Sequence, residues 1–79
     1  MSDSTASKMR MDIASPPDRE KLVAELFYAD EQWAEIHQES EQLTLLLYPR
    51  HDGRPWEFSF SEAVSMLQRA SRRLVGDEP

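Results

Sequence analysis

Three groupings in this chain carry side chains able to do chemistry. The first is His51-Asp52, an imidazole beside a carboxylate. Such a pair acts in catalysis only with a nucleophile and an oxyanion site at hand. The nearest hydroxyls, Ser59 and Ser61, sit where an apolar helical run begins, so they are better explained as helix-cap residues. No catalytic residue is assigned. The second grouping is Glu35, His37 and Glu39, which an extended strand sends to one face. Three such groups could gather a weakly held divalent ion, but no His-x-x-x-His or cysteine spacing supports a metal site. A polar surface patch is the simpler expectation, and no metal or cofactor is assigned. The third is Arg50-His51-Asp52-Gly53-Arg54, two arginines around a glycine turn. That arrangement suits a carboxylate or phosphate. Arg50, His51 and Arg54 are therefore the candidate anion-binding residues.

These groups must be held by a small scaffold. The chain has 79 residues and no cysteine, so it is one domain with no disulfide or thiolate staple. Chains of this size bury only about 60% of their unfolded surface, which raises the expectation of self-association. No stretch approaches the roughly 18 apolar residues of a membrane span. The first 15 residues hold no apolar block, so no signal peptide is expected and a cytoplasmic location is.

Net charge is −6, and its placement is uneven. Residues 18–42 hold eight acids against Arg19 and Lys21, whereas the acids and bases of residues 1–17 balance, as do those of 43–79. An acidic belt of this kind disfavours nucleic acid and anionic lipid and favours a basic protein.

Residues 1–17 are rich in Ser, Met, Asp and Pro and read as a disordered leader. Met9 or Met11 could be the true start of the chain. Ser15-Pro16-Pro17-Asp18 suggests a short helical turn. Three apolar runs follow, at Leu22–Ala29, Gln32–Glu39 and Leu43–Tyr48, with turns at Asp30-Glu31 and Ser40-Glu41. The first run also fits helical spacing. Its Phe27-Tyr28 pair and the need of the next two runs for a partner favour a strand. Links this short make an antiparallel meander. Trp56-Glu57-Phe58 is a candidate short fourth strand. Ser59 with Glu62 forms a capping box, and an amphipathic helix runs to Gly76. Its apolar stripe is Phe60, Ala63, Val64, Leu67, Ser71, Leu74 and Val75. The predicted fold is α+β, a three-stranded meander packed on one C-terminal helix in β-β-β-α order. The domain spans 18–76, with a disordered tail at 77–79.

A turn at 30–31 pairs Tyr28 with Trp33 and Phe27 with Ala34, and a turn at 40–41 pairs Ile36 with Leu45 and Ala34 with Leu47. One sheet face then carries Val23, Phe27, Ala34, Ile36, Leu43, Leu45 and Leu47, which suits a core beneath the helix. The other face carries Ala24, Leu26, Tyr28, Trp33, Glu35, His37, Thr44, Leu46 and Tyr48, and one helix cannot cover both. An uncovered aromatic face marks an interface unless the N-terminal leader, or Trp56 and Phe58, folds back over it.

The expected function is a small acidic, non-enzymatic protein-binding domain. It would pair with itself or with a basic protein through Leu26, Tyr28, Trp33, Glu35, Glu39, Leu46 and Tyr48. Glu25, Glu31, Glu35 and Glu39 would steer that partner. One concrete version is a toxin-neutralising immunity or antitoxin protein. The alternative is a nucleic-acid module using the aromatic face and the C-terminal arginines, which the acidic belt disfavours.

Overall fold

The computed structural model describes residues 8–76. Four strands, β1 (Met9–Ala14), β2 (Val23–Tyr28), β3 (Glu31–His37) and β4 (Thr44–Leu47), form one antiparallel sheet in chain order. Helix α1 (Phe60–Val75) follows. The α+β class, the meander and the C-terminal helix agree with the sequence pattern, and the run at 22–29 is strand rather than helix.

The fourth strand is not at 56–58, which is irregular, but at Met9–Ala14, inside the expected leader. Met9, Met11 and Ile13 alternate with Arg10, Asp12 and Ala14, and this alternation pairs with β2 from Met9↔Tyr28 to Ala14↔Val23. Met9 is a buried core residue. The expectations for residues 1–7 and 77–79 lie outside the described residues. The suspected helical turn after Ser15 is instead a single reverse turn, closed by Arg19 N–H donating to the Pro16 carbonyl.

The first hairpin turn is Ala29-Asp30, not Asp30-Glu31. Both residues are left-handed, with φ of 51° and 77°. This is the backbone of a type I′ turn, whose twist matches that of the strands. Tyr28 therefore faces Glu31, and Phe27 faces Gln32. The register then slips, so that Leu26 faces Ala34 and Ala24 faces Ile36. Trp33 is the extra residue of a β-bulge, and the bulge turns its ring to the same side as Ala34.

A one-residue shift exchanges a strand's faces. Ala24, Leu26 and Tyr28, expected on the outer face, point toward the helix with Ala34, Ile36 and Trp33. Val23 and Phe27, expected in that core, lie on the other face, where Arg10 stacks over the Phe27 ring at 4.3 Å. The core comprises Met9, Ala24, Leu26, Trp33, Ala34, Ile36, Ala70 and Leu74.

Helix α1 begins and ends as its sequence signals require. Ser59 Oγ accepts from Glu62 N–H at 3.3 Å. Gly76, at φ 85°, donates its N–H to the Arg72 and Arg73 carbonyls. The helix lies over β1 and β2. Its buried line runs through Ala70 and Leu74, with Ala63, Met66 and Leu67 packed beside them. Phe60 and Val75, expected in that stripe, are solvent-exposed. Small alanines at the contact let the helix settle close to the first two strands. No equivalent cover extends over β4.

Candidate functional site

Part of the expected aromatic interface, Leu26, Tyr28 and Trp33, packs inside. Leu26 is fully buried and Trp33 nearly so. Phe58 packs on Trp33 with ring centroids 4.7 Å apart and on Tyr28 at 5.1 Å. Trp56 stacks on Phe58 at 5.4 Å. Its indole N–H donates to the Tyr48 carbonyl at 2.9 Å, which ties the 56–58 segment across the sheet. The fold-back of Trp56 and Phe58 that competed with an interface is the arrangement present. These rings satisfy one another, so no flat row of them is open for stacking bases.

The acidic candidates also separate. Glu35 is buried on the face opposite the helix. Arg19 Nη2 stands 3.1 Å from its Oε2, close enough for charge pairing but off the hydrogen-bonding direction. The Tyr48 hydroxyl donates to its Oε1 at 3.1 Å. This pairing draws the 15–22 connection over that face, beneath which Val23 is fully buried. Glu39 is exposed and accepts from Lys21 N–H at 3.4 Å. His37 Nδ1 accepts from Glu39 N–H at 3.4 Å. The trio Glu35, His37 and Glu39 does not converge. Among the described residues no group of three or more His, Cys, Asp or Glu could hold a metal ion.

The 50–54 loop is closed upon itself. His51 donates its backbone N–H to Glu31 Oε2 at 2.6 Å, and its Nδ1 lies 2.9 Å from Glu31 Oε1. The backbone hydrogen bond is the main cause holding the Glu31 carboxyl below its usual range, with burial opposing it. Arg50 pairs with Asp52 at 3.3 Å and lies over the Trp56 ring. Asp52 also accepts from Arg54 N–H. Two of the three expected anion-binding residues, Arg50 and His51, are thus committed to acids of this chain. The His51-Asp52 pair is likewise split between different partners.

What remains open is β4. Leu46, half-buried, and Tyr48 turn toward the face bearing Glu35. Leu45 and Leu47 project on the helix side, yet they stay 44% and 68% exposed, and neighbouring Leu43 is 42% exposed. Helix position explains this. Met66, Arg69 and Arg73 line a shallow cleft of about 230 Å³ with Met9 and Met11, so that flank of α1 looks toward β1. Phe60, Val64 and Val75 lie on the opposite flank, given 100° per residue, away from that cleft. Phe60 is 83% exposed. Leu45, Leu47 and Phe60 are thus all left open on the helix side of the sheet.

The same residues carry unused backbone. Tyr48 N–H donates to the Trp33 carbonyl at 3.0 Å. Antiparallel ladders alternate bonded and non-bonded pairs. Leu46·Glu35 and Thr44·His37 are therefore the bonded pairs, while Leu45 and Leu47, opposite Ile36 and Ala34, turn their N–H and C=O away from β3. Protein sheets usually blunt such an edge with charge, proline or a bulge. The other edge, β1, follows that rule with Lys8, Arg10 and Asp12. In residues 42–48 there is no charge and no proline. Sequence reasoning placed Leu43, Leu45 and Leu47 in the core. The uncharged leucine run bracketed by Glu41 and Arg50 was the available signal.

No family model matches the chain, and none of the curated proteins or solved structures compared with it is significantly similar. No helix among the described residues is long and apolar enough to cross a membrane.

Proposed function

We propose that this chain is a non-enzymatic protein-binding domain that docks its partner on the β4 edge. One coincidence carries the reading. Leu45 and Leu47 are among the most exposed large apolar residues, and they are also the residues whose backbone groups are unpaired at the sheet edge. An incoming strand would take main-chain hydrogen bonds from that edge, and its alternate side chains would lie beside the exposed Leu45 and Leu47. Main-chain pairing supplies affinity, and the exposed leucines supply selectivity.

The acidic belt at 18–42, outside β4, supports long-range attraction of a basic protein to a separate surface. Glu25 and Glu39 are the carboxylates left for steering, because Glu31 and Glu35 are engaged internally. A nucleic-acid role has less support, since Tyr28, Trp33 and Trp56 pack among themselves. Support for a non-enzymatic role comes from the split His51-Asp52 pair.

The test is a photo-crosslinking side chain placed at Leu47 of the full chain in its host cell, with the same group at Gln68 as control. A discrete adduct from position 47, lost on adding Leu45→Lys, is the expected result. Equal labelling at both positions, or none at 47, removes the docking reading.

A further inference from the structure

We infer that the partner at this edge is a second copy of the chain, its β4 pairing antiparallel with this β4 about a two-fold axis at Leu45. The inference rests on the docking reading above and names its occupant. Three observations select a second copy.

The first is self-complementarity. The outward positions of β4 are Leu45 and Leu47, and Leu43, just before the strand, follows in the same alternation, so all three are the same residue. With the axis at Leu45, each Leu43 faces a Leu47 and the two Leu45 residues face each other. Six leucines then form one band on the helix side of a continuous eight-stranded sheet. The exposed Phe60 of each copy lies on the same side of the sheet as that band. An isologous contact of this kind closes on itself and leaves β4 with no free edge.

Charge is the second. The chain carries a net charge of −6, so two copies repel unless they meet where the acids are absent. Residues 42–49 are uncharged and bracketed by Glu41 before and Arg50 after. Antiparallel pairing about Leu45 sets the acidic entrance of one strand beside the basic exit of the other. A parallel arrangement would set like charges together at both ends.

The third is the modesty of the core. Three of its eight residues are alanines, Ala24, Ala34 and Ala70, and there is no disulfide. Domains this small usually need an added staple, and association is one. Burying Leu45, Leu47 and Phe60 would supply it from residues a monomer leaves in water.

The experiment is sedimentation equilibrium of the purified full chain over a wide concentration range, with two sets of variants. The wild type should be a dimer. Leu45→Lys with Leu47→Lys should raise the dissociation constant by about 100-fold or more, while far-UV circular dichroism confirms that the fold persists. The chain has no cysteine, so single cysteines report the register. On the axis, the two Leu45 Cα atoms would stand about 5.5 Å apart, within disulfide reach. Leu45→Cys should therefore oxidise to a linked dimer, and Thr44→Cys, whose opposite is Leu46, should not. A monomer at every concentration overturns the inference. So does a dimer that is indifferent to the lysine pair, or equal linking at 44 and 45. If the chain is monomeric yet Leu47 crosslinks another protein, self-pairing fails and the docking reading stands. If neither occurs, both fail.

Discussion

The Tyr48 hydroxyl donates to Glu35 Oε1 at 3.1 Å, while Arg19 approaches the other oxygen of the same carboxylate at 3.1 Å. A buried carboxylate is tolerable only when paired and hydrogen-bonded, and leaving one unpaired costs more than the pair itself contributes. Arg19→Met should therefore destabilise the fold by about 2 kcal/mol, discounted for the partial exposure of Arg19. Tyr48→Phe should cost about 1 kcal/mol. Adding Glu35→Gln should recover part of the Arg19→Met loss. Urea denaturation of the four chains checks the ordering, and an Arg19→Met chain as stable as wild type contradicts it.

Tyr48 also predicts behaviour at high pH. Burial, followed by the bond to Glu35, raises its hydroxyl above the ordinary value of 10.0. A raised folded value means stability that is complete below pH 10 and lost as pH climbs through the folded value. The midpoint of thermal unfolding should fall at alkaline pH, and it should fall less in Tyr48→Phe. Ultraviolet titration should show one tyrosine ionising late.

At the acid end the relevant group is Glu31. Its carboxyl is held below 4.5, chiefly by the backbone N–H of His51. For a lowered group the sign reverses, so the stabilisation is present above about pH 4.5 and is lost as pH drops through the folded value. Glu31→Gln should flatten the acid limb of a stability-versus-pH curve near pH 4 without changing its neutral plateau in shape. A carbon-detected titration of Glu31 that returns an ordinary value contradicts this cause.

The hairpin turn holds a removable strain. Ala29 sits at φ 51°, where an L-residue with a Cβ pays about 1 kcal/mol. Ala29→Gly should raise stability by about 0.5–1 kcal/mol despite the added freedom of the unfolded chain. A lower urea midpoint contradicts it.

Trp33→Ala should cost about 3–5 kcal/mol, as for a large side chain removed from a core. Starting the chain at Met11 should also destabilise it, because Met9 is buried and Arg10 pairs with Phe27. Either change leaving the melting curve untouched places these residues outside the cooperative core.

How much of this was legible in the sequence follows from particular residues. The helix was readable at both ends, because Ser59, Glu62 and Gly76 are strong local signals whose meaning needs no tertiary context. The three central strands were readable from alternation. The first strand carries the same alternation in Met9, Met11 and Ile13, but its setting among Ser, Asp and Pro hid it. The register of β3 with β4 was readable, since Ala34 faces Leu47 and Ile36 faces Leu45 as the pattern required, but that of β2 with β3 was not. A left-handed Ala29 lies outside the usual turn chemistry, and nothing in the sequence marks Trp33 as a bulge. That single slip exchanged the faces of β2 and turned a supposed aromatic interface into the core. The open β4 edge escaped for a different reason. Leu45 and Leu47 do point to the helix side, and only the lateral placement of α1, set by Ala63 and Ala70, decides that they stay uncovered.

The placement of α1 over β1 and β2 also orders events during synthesis. The first hairpin, β1–β2, is roofed by an element made only after β3 and β4. Until α1 has emerged, Met9, Ala24 and Leu26 lie bare on the helix side of whatever part of the sheet has formed. A holdase gripping the Met9–Leu26 face would therefore have its substrate until α1 docks.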